Sequence, residues 1–432
     1  MLFLHMTLPK EHPLRYRLFN ESHTRSYVDL TSPLQVSYLV LLTGEVTSKK
    51  ECAHLSQLAE QYGVTPPIDN AVHYDANVGN FSIKWEKHTE FSSYTFTSTK
   101  QCQSPFICKV ISEVPEGWVS LIEGELLVAQ HIEILPKCEE TLTEEAISKH
   151  FQTDSLVGSF VGGTAAQAWT DFKLQKDGFS EVLILNDCLT PQTMGRLVQH
   201  MLELETYRLL ALLGLPLVEK YGMKITQLGA SLTDITHRLS TTTNFEEEQA
   251  LLADLTTLEA DIEQIMAATS YRFSATQAYK AIVNDRLQRI RENRIDGRQM
   301  LSKYLERRFQ PAMNACESIS SRLENLSVRV ARASQILMAR VDLALESQNQ
   351  ELLNSMNKRT DLQLRLQGTV EGLSIAAISY YIVGLTSYLA RALNAAGANL
   401  NIDLFVGVSI PIVVGVVWLS IHKIKKHIYK TT

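Results

Sequence analysis

GLSIAAISYYIVGLTSYLA, residues 372–390, is the stretch on which the reading of the whole chain turns. It lies between Glu371 and Arg391, carries no charge, and is long enough to cross a bilayer as a helix. A second uncharged stretch, LFVGVSIPIVVGVVWLSI at residues 404–421, lies between Asp403 and His422, near the lower length limit for a span. RALNAAGANLNID joins them, so two spans would form an antiparallel hairpin. A helix satisfies its own backbone hydrogen bonds in lipid, so Pro411 and the glycines of the second stretch do not disqualify it. Lys423, Lys425, Lys426 and Lys430 follow the second span, and Lys358, Arg359 and Arg365 precede the first, against Arg391 in the connection. That asymmetry predicts an inner-membrane, multi-pass protein with both termini cytoplasmic and the turn outside.

Of the 432 residues, roughly 370 precede the first span, enough for a globular domain and a second large unit. The formal net charge of −6 argues against a nucleic-acid partner. The N-terminus, MLFLHMTLPKEHPLRYRL, lacks the unbroken apolar core of a signal peptide. Cys52, Cys102, Cys108, Cys138, Cys188 and Cys316 form no C-x-x-C pair, a pattern that predicts reduced thiols rather than a disulfide framework or a zinc site.

Residues 1–189 read as an α+β domain. Val36, Tyr38, Val40 and Leu42 alternate as a strand does. Cys52, Leu55, Leu58 and Ala59 have helical spacing up to Gly63. Residues 81–86, 93–97, 126–134, 156–161 and 181–185 are further strand candidates, with a helix over 143–150. Neither a phosphate-cradling glycine loop nor a nucleophile elbow occurs. On an extended chain residues two apart share a face, which would group Glu21, His23 and Arg25 of NESHTR, and Glu86, His88 and Glu90 of WEKHTEF. A histidine between carboxylates suits a divalent cation; a polar strand face tied by ion pairs uses the same residues. With no identifiable nucleophile or full metal set, the chain is not read as an enzyme, and no cofactor is expected.

From Thr190-Pro191 the composition turns helical. Residues 190–311 read as a helical hairpin region: Leu197, Met201 and Leu204 begin a helix expected to bend at Pro216. A second run carries Leu251, Leu255, Leu258, Ile262 and Ile265 at coiled-coil spacing. Residues 312–371 read as a coiled-coil stalk. Ile319, Leu323, Leu326, Val330, Ala333 and Leu337 keep heptad spacing, then Val341 and Leu345 follow by fours, a stutter. With no strong breaker up to Arg391, one helix of about 80 residues, some ~120 Å long, would run from cytoplasm through membrane. The remaining segments are the span 372–390, an external loop 391–403, the span 404–421 and a basic tail 422–432.

NESHTR, WEKHTEFSSYTF, GRLVQHMLELETYRLLALLGLP, YRFSATQAY and LQLRLQGTVEGLSIAAISYY are long, unusual strings covering nearly the whole chain. In them the chain resembles an uncharacterised bacterial membrane-anchored family, domain of unknown function 3422. That resemblance implies membrane anchoring and brings no activity with it. In the order of its parts the chain is also similar to the CorA-type magnesium channels. Their Gly-Met-Asn signature is replaced here by Arg391-Ala-Leu-Asn394.

Gly372, Ala376, Ser379, Val383, Thr386 and Ala390 form a small, partly polar stripe, and Gly407, Pro411 and Gly415 a matching narrow face on the second span. Such faces serve helix packing, or in an oligomer could line a pore through Ser379, Val383 and Thr386. Two functions follow as expectations. One is a CorA-like homo-oligomer in the lipid bilayer that conducts or senses cations. The other is a membrane-anchored coiled-coil scaffold that binds a cytoplasmic protein.

Overall fold

LQVSYLVLL, residues Leu34–Leu42, forms β1, the strand from which the sheet spreads. It is apolar on both faces, as a strand covered on both sides must be: Val36, Tyr38 and Val40 enter one core, and Leu39 and Leu41 another. The computed structural model describes residues 10, 12–15, 29–44, 48–102, 104–137, 144–151, 156–242, 244–397 and 401–428, the side chains of 425–428 excepted. The chain divides into two compact units, residues 1–240 with 253–333, and residues 241–252 with 334–432.

The first unit holds a nine-stranded mixed sheet in the order β2-β3-β4-β1-β5-β8-β7-β6-β9. The strands are β2 (His73–Asn77), β3 (Ser82–Lys87), β4 (Phe91–Ser98), β5 (Glu125–Pro136), β6 (Val157–Val161), β7 (Ala166–Leu174), β8 (Ser180–Asn186) and β9 (Asn293–Arg294). Neighbours are antiparallel except β5 and β8, which run parallel. The last strand comes from the helical region: Ser159 and Phe160 pair with Arg294 and Asn293. The sheet is therefore not confined to residues 1–189.

Helices close both faces. On one, α1 (Ser48–Tyr62) brings Cys52, Leu55, Leu58 and Ala59 onto Trp85, Tyr94 and Phe96. The short α2 (Glu144–His150) adds Ile147 to a smaller cluster with Phe106, Phe151, Trp169 and Leu183. On the other face lies α3 (Pro191–Leu212), opened by Thr190, whose hydroxyl accepts from the Thr193 amide at 3.4 Å, and by Pro191 at the first position. Its Met194, Leu197, Val198, Met201 and Leu202 pack on Val36, Val128, Ile132 and Ile184. A break comes at Leu213 and Gly214, before Pro216: a Cβ at Gly214 would lie 2.6 Å from Thr276 Oγ1 and 3.1 Å from Cys316 Sγ.

Beyond the break run α4 (Leu215–Thr241), α5 (Phe245–Arg289), α6 (Leu301–Arg308) and α7 (Gln310–Ala395). Within the first unit, α4, α5 and α7 form a three-helix bundle. Lys224 pairs with Asp261 at 2.9 Å, Lys280 with Glu317 at 3.1 Å, and Arg322 donates to Thr226 at 2.9 Å. The heptad seam of Ile319, Leu323, Leu326 and Val330 is buried inside the chain; a Cβ at Gly229 of α4 would touch Leu326 Cδ2 at 3.7 Å. Expected as a stalk seam, these residues already have their partners within one copy.

In the second unit Glu248 lies 3.7 Å from Arg340, and Leu251 and Leu337 are buried. Further along, α7 exposes Leu345, Leu352, Met356, Leu362 and Leu366. It continues without a break through the apolar residues 372–390, 86 residues in all. After it comes α8 (Ile402–Ile428), with Pro411 inside. Both stretches are long and apolar enough to cross a membrane by length and composition, with only 11% and 6% of their apolar windows buried.

Candidate ligand-binding cavity

The unit of the site is a cross-strand row. On a pleated sheet every second residue faces the same side, so three strands in register present three-residue rows. Asp75, Lys84 and Thr95 form one row and Asn77, Ser82 and Thr97 the next; β1 continues them with Tyr38 and Val36. His73, Glu86 and Ser93 form a third, continued by Val40. This face is thus polar over β2, β3 and β4 and apolar where α3 covers β1. Between the polar strands and α3 remains a cavity of about 430 Å3, within the range of small-molecule sites.

The two sides of the cavity differ in kind. Leu30, Val36, Phe91, Val198 and Leu202 line its apolar back. There the Tyr38 hydroxyl is 3.1 Å from Thr206 Oγ1, which is also 2.8 Å from the Leu202 carbonyl. Burial, more than any other cause, holds the Tyr38 phenol well above its ordinary range, so it stays a neutral hydroxyl. Along the rim, Lys84 Nζ lies 3.2 Å from Glu86 Oε1, and Arg286 pairs with Glu203. The Glu203 carboxylate also accepts from Gln199 at 2.9 Å. Burial raises the Glu203 pKa, but the hydrogen bonds of His200 and Gln199 and the Arg286 cation together outweigh it and hold the group below the usual carboxylate range. Desolvation moves the Asp75 carboxyl upward, opposed by the Lys84 cation and reinforced by the Glu86 charge, and the residue lies exposed at the sheet edge.

The structure separates the predicted histidine cluster. Residue 87 ends β3 and residue 91 begins β4, so the chain turns between Glu86 and Glu90 and they do not share one face. Glu86 lines the cavity. His88 stacks on Phe91 with ring centroids 4.2 Å apart, and its amide donates to the Phe91 carbonyl at 2.8 Å, at the cavity mouth. Glu90 turns to α5, accepting from the Tyr271 hydroxyl and from Arg272 at 3.0 Å. It is a tie between sheet and bundle, where the sequence had suggested a metal ligand. Among the described residues no group of three or more His, Cys, Asp or Glu is arranged to hold a metal. Glu21, His23 and Arg25 lie outside the described residues.

The suggested pore-lining residues also have a definite place. Ser379 and Ala390 are buried, and Val383 and Thr386 half-buried, within the single chain. The Thr386 hydroxyl donates to the Val383 carbonyl at 2.8 Å. These four sit on the covered side of α7. Gly407 and Gly415, expected as the matching face, have nothing within 4 Å of a built Cβ. The buried side of α8 runs instead through Val406, Ser409, Val413 and Val417.

Sequence reading missed a second polar system, on the opposite sheet face. Ser37 Oγ lies 2.9 Å from His131 Nδ1, and His131 Nε2 is 3.5 Å from Asp177 Oδ2. Lys109 joins Asp177 at 2.5 Å to Glu181 at 3.1 Å, and His150 meets Glu181 at 2.7 Å. Serine, histidine and aspartate in line resemble a nucleophile with its base and orienter. Yet Ser37 is 0% exposed, the neighbouring space is about 10 Å3, and Phe179 stacks over the imidazole at 4.0 Å. No substrate could reach that hydroxyl. These residues are a structural network.

One further finding corrects the expectation of reduced thiols: Cys102 and Cys108 are bonded, with Cα atoms 6.1 Å apart. The loop they close carries Phe106, whose amide donates to Glu133.

The fold and the cavity define a class: a mixed-sheet head on a helical bundle, in one chain with two helices apolar enough to span a bilayer. The chain belongs to the family described as protein of unknown function (DUF3422), whose model matches residues 10–428. No curated protein and no solved structure matches it.

Proposed function

We propose that this is a membrane-anchored binding protein. Its last two apolar helices form a hairpin in the bilayer, and its sheet domain receives a small ligand in the cavity under α3. The observation that carries this reading is the cavity itself, apolar behind and hydrogen-bonding in front, built from one continuous sheet face. The unbroken α7 supplies a mechanical link from the bundle toward the apolar segment. On this reading the protein is not an enzyme, and its binding state is passed on through the helices. On this reading the head stands on the cytoplasmic side, which the basic residues flanking the two apolar stretches support. Filling the cavity tests the site: a Thr95→Trp variant in detergent should keep the wild-type Tm but lose ligand-induced stabilisation.

A second reading is a homo-oligomer of CorA-like architecture that conducts or senses cations. It is favoured by the order of parts, a sheet domain, paired helices, one long helix and a second apolar helix. The covered position of Ser379, Val383 and Thr386 weighs against a pore along that stripe. Cation flux in proteoliposomes of the wild-type chain separates the two. Selective flux would favour the channel; none under a membrane potential would leave the anchored binding protein.

A further inference from the structure

The charges around the cavity select among ligands. Three carboxylates line it, Asp75, Glu86 and Glu203, against two permanent cations, Lys84 and Arg286. Both cations are already committed: Lys84 sits 3.2 Å from Glu86, and Arg286 pairs with Glu203 as well as with Asp285. Asp75 has no salt-bridge partner among the described residues. An anionic ligand would have to pull a cation from its carboxylate or lie beside Asp75, whose register partner Lys84 is already drawn to Glu86. A cationic group would instead complete the count at Asp75 and Glu86.

The opposite wall is of another character. Phe91, Leu202 and Val198 offer an apolar surface, while on the sheet face beside the charged residues Ser93, Thr95 and Thr97 stand in a column along β4 that can bond a hydroxyl on the ligand's edge. The lining and the volume of about 430 Å3 thus ask for a small molecule with a cationic end, an apolar body and one or two hydroxyls.

We infer that the cavity binds a small organic cation, an aromatic or branched aliphatic amine, with its ammonium at Asp75 and Glu86 and its body against Phe91 and Leu202. This rests on the cavity being a ligand site, the reading proposed above. The complementary charge sets the preference, and the hydroxyl column the orientation.

Calorimetric titration of the full chain in nanodiscs with tyramine and with 4-hydroxyphenylacetate tests it, because the two share a body and differ in the sign of the end group. Tyramine should bind about 10-fold or more tightly than the acid, the effect of roughly one favourable charge contact. Asp75→Asn, at an exposed strand edge and safe for folding, should weaken tyramine by a factor of several and leave the acid unweakened. Equal or tighter binding of the acid would overturn the charge assignment while leaving the cavity a ligand site. Binding of neither probe up to roughly millimolar concentration would overturn both this inference and the reading beneath it.

Discussion

Gly158 on β6 and Trp169 on β7 are register partners, and the indole lies so close that a Cβ on Gly158 would sit 2.5 Å from its Cε3 and Cζ3. Trp169 is 2% exposed and carries Arg298 over its ring at 5.8 Å, so it has little room to retreat. Gly158→Ala should destabilise the first unit by about 1–3 kcal/mol, the usual range for overpacking. A thermal melt of the variant checks this. An unchanged Tm would mean that the ring moves freely.

Leu326 is buried between helices of its own chain, whereas Leu352 is 63% exposed. Leu326→Asp would bury an unpaired charge and should cost on the order of 4 kcal/mol, seen as lost cooperative unfolding. Leu352→Asp should leave the melt within about 0.5 kcal/mol of wild type. If copies of the chain pair along the exposed part of α7, the second variant alone should also lower the oligomer mass in mild detergent.

Burial first, and the Lys109 cation second, push the His131 imidazole down to about 4, against the pull of Asp177 and Glu181. The folded protein therefore holds it neutral where the unfolded chain would take up a proton. The resulting stability is fully present above the ordinary histidine value of about 6.5 and is lost as pH falls from there toward 4. The loss is on the order of 3 kcal/mol for a group this buried. Between pH 7 and pH 5 the wild type should therefore lose more Tm than His131→Gln. Equal losses would remove the histidine from the account.

The pairing of Cys102 with Cys108 bears on the compartment, since cytosolic disulfides are uncommon and mostly transient or redox-sensing. On the topology proposed above the bond would form only once the chain leaves the reducing cytoplasm, so mass spectrometry of chain alkylated in intact cells should find both residues as free thiols. Purification without reductant should then yield the bonded form. A stoichiometric bond in freshly quenched cells would instead argue that the head faces an oxidising space.

Much of the fold was legible in the sequence because its signals are local. The apolar segments, the cap at Thr190-Pro191 and the apolar run of β1 each follow from a few adjacent residues. β7 escaped because alternation fails in a strand buried on both faces: Ala168, Trp169, Thr170 and Asp171 are all covered. Within it the Asp171 carboxylate accepts from the Lys173 amide at 3.0 Å where the strand loses register. β9 escaped because two residues carry no pattern. The cavity was half visible, in the polar alternation Ser82, Lys84, Glu86 and Ser93, Thr95, Thr97. What joins those strands to Glu203 and Arg286 is contact between distant segments, which spacing does not encode. For the same reason heptad spacing could not say whether the seam at Leu326 joins two chains or one.

The membrane hairpin proposed above would leave the head and the C-terminus on one side. Site-directed thiol labelling in intact cells tests it most directly, in a chain whose native cysteines are replaced by serine. Ala396→Cys, in the turn after α7, should react with an impermeant maleimide added outside. Thr431→Cys should react only after the cells are opened. Labelling of both positions from outside, or of Thr431→Cys alone, would contradict the hairpin as placed here.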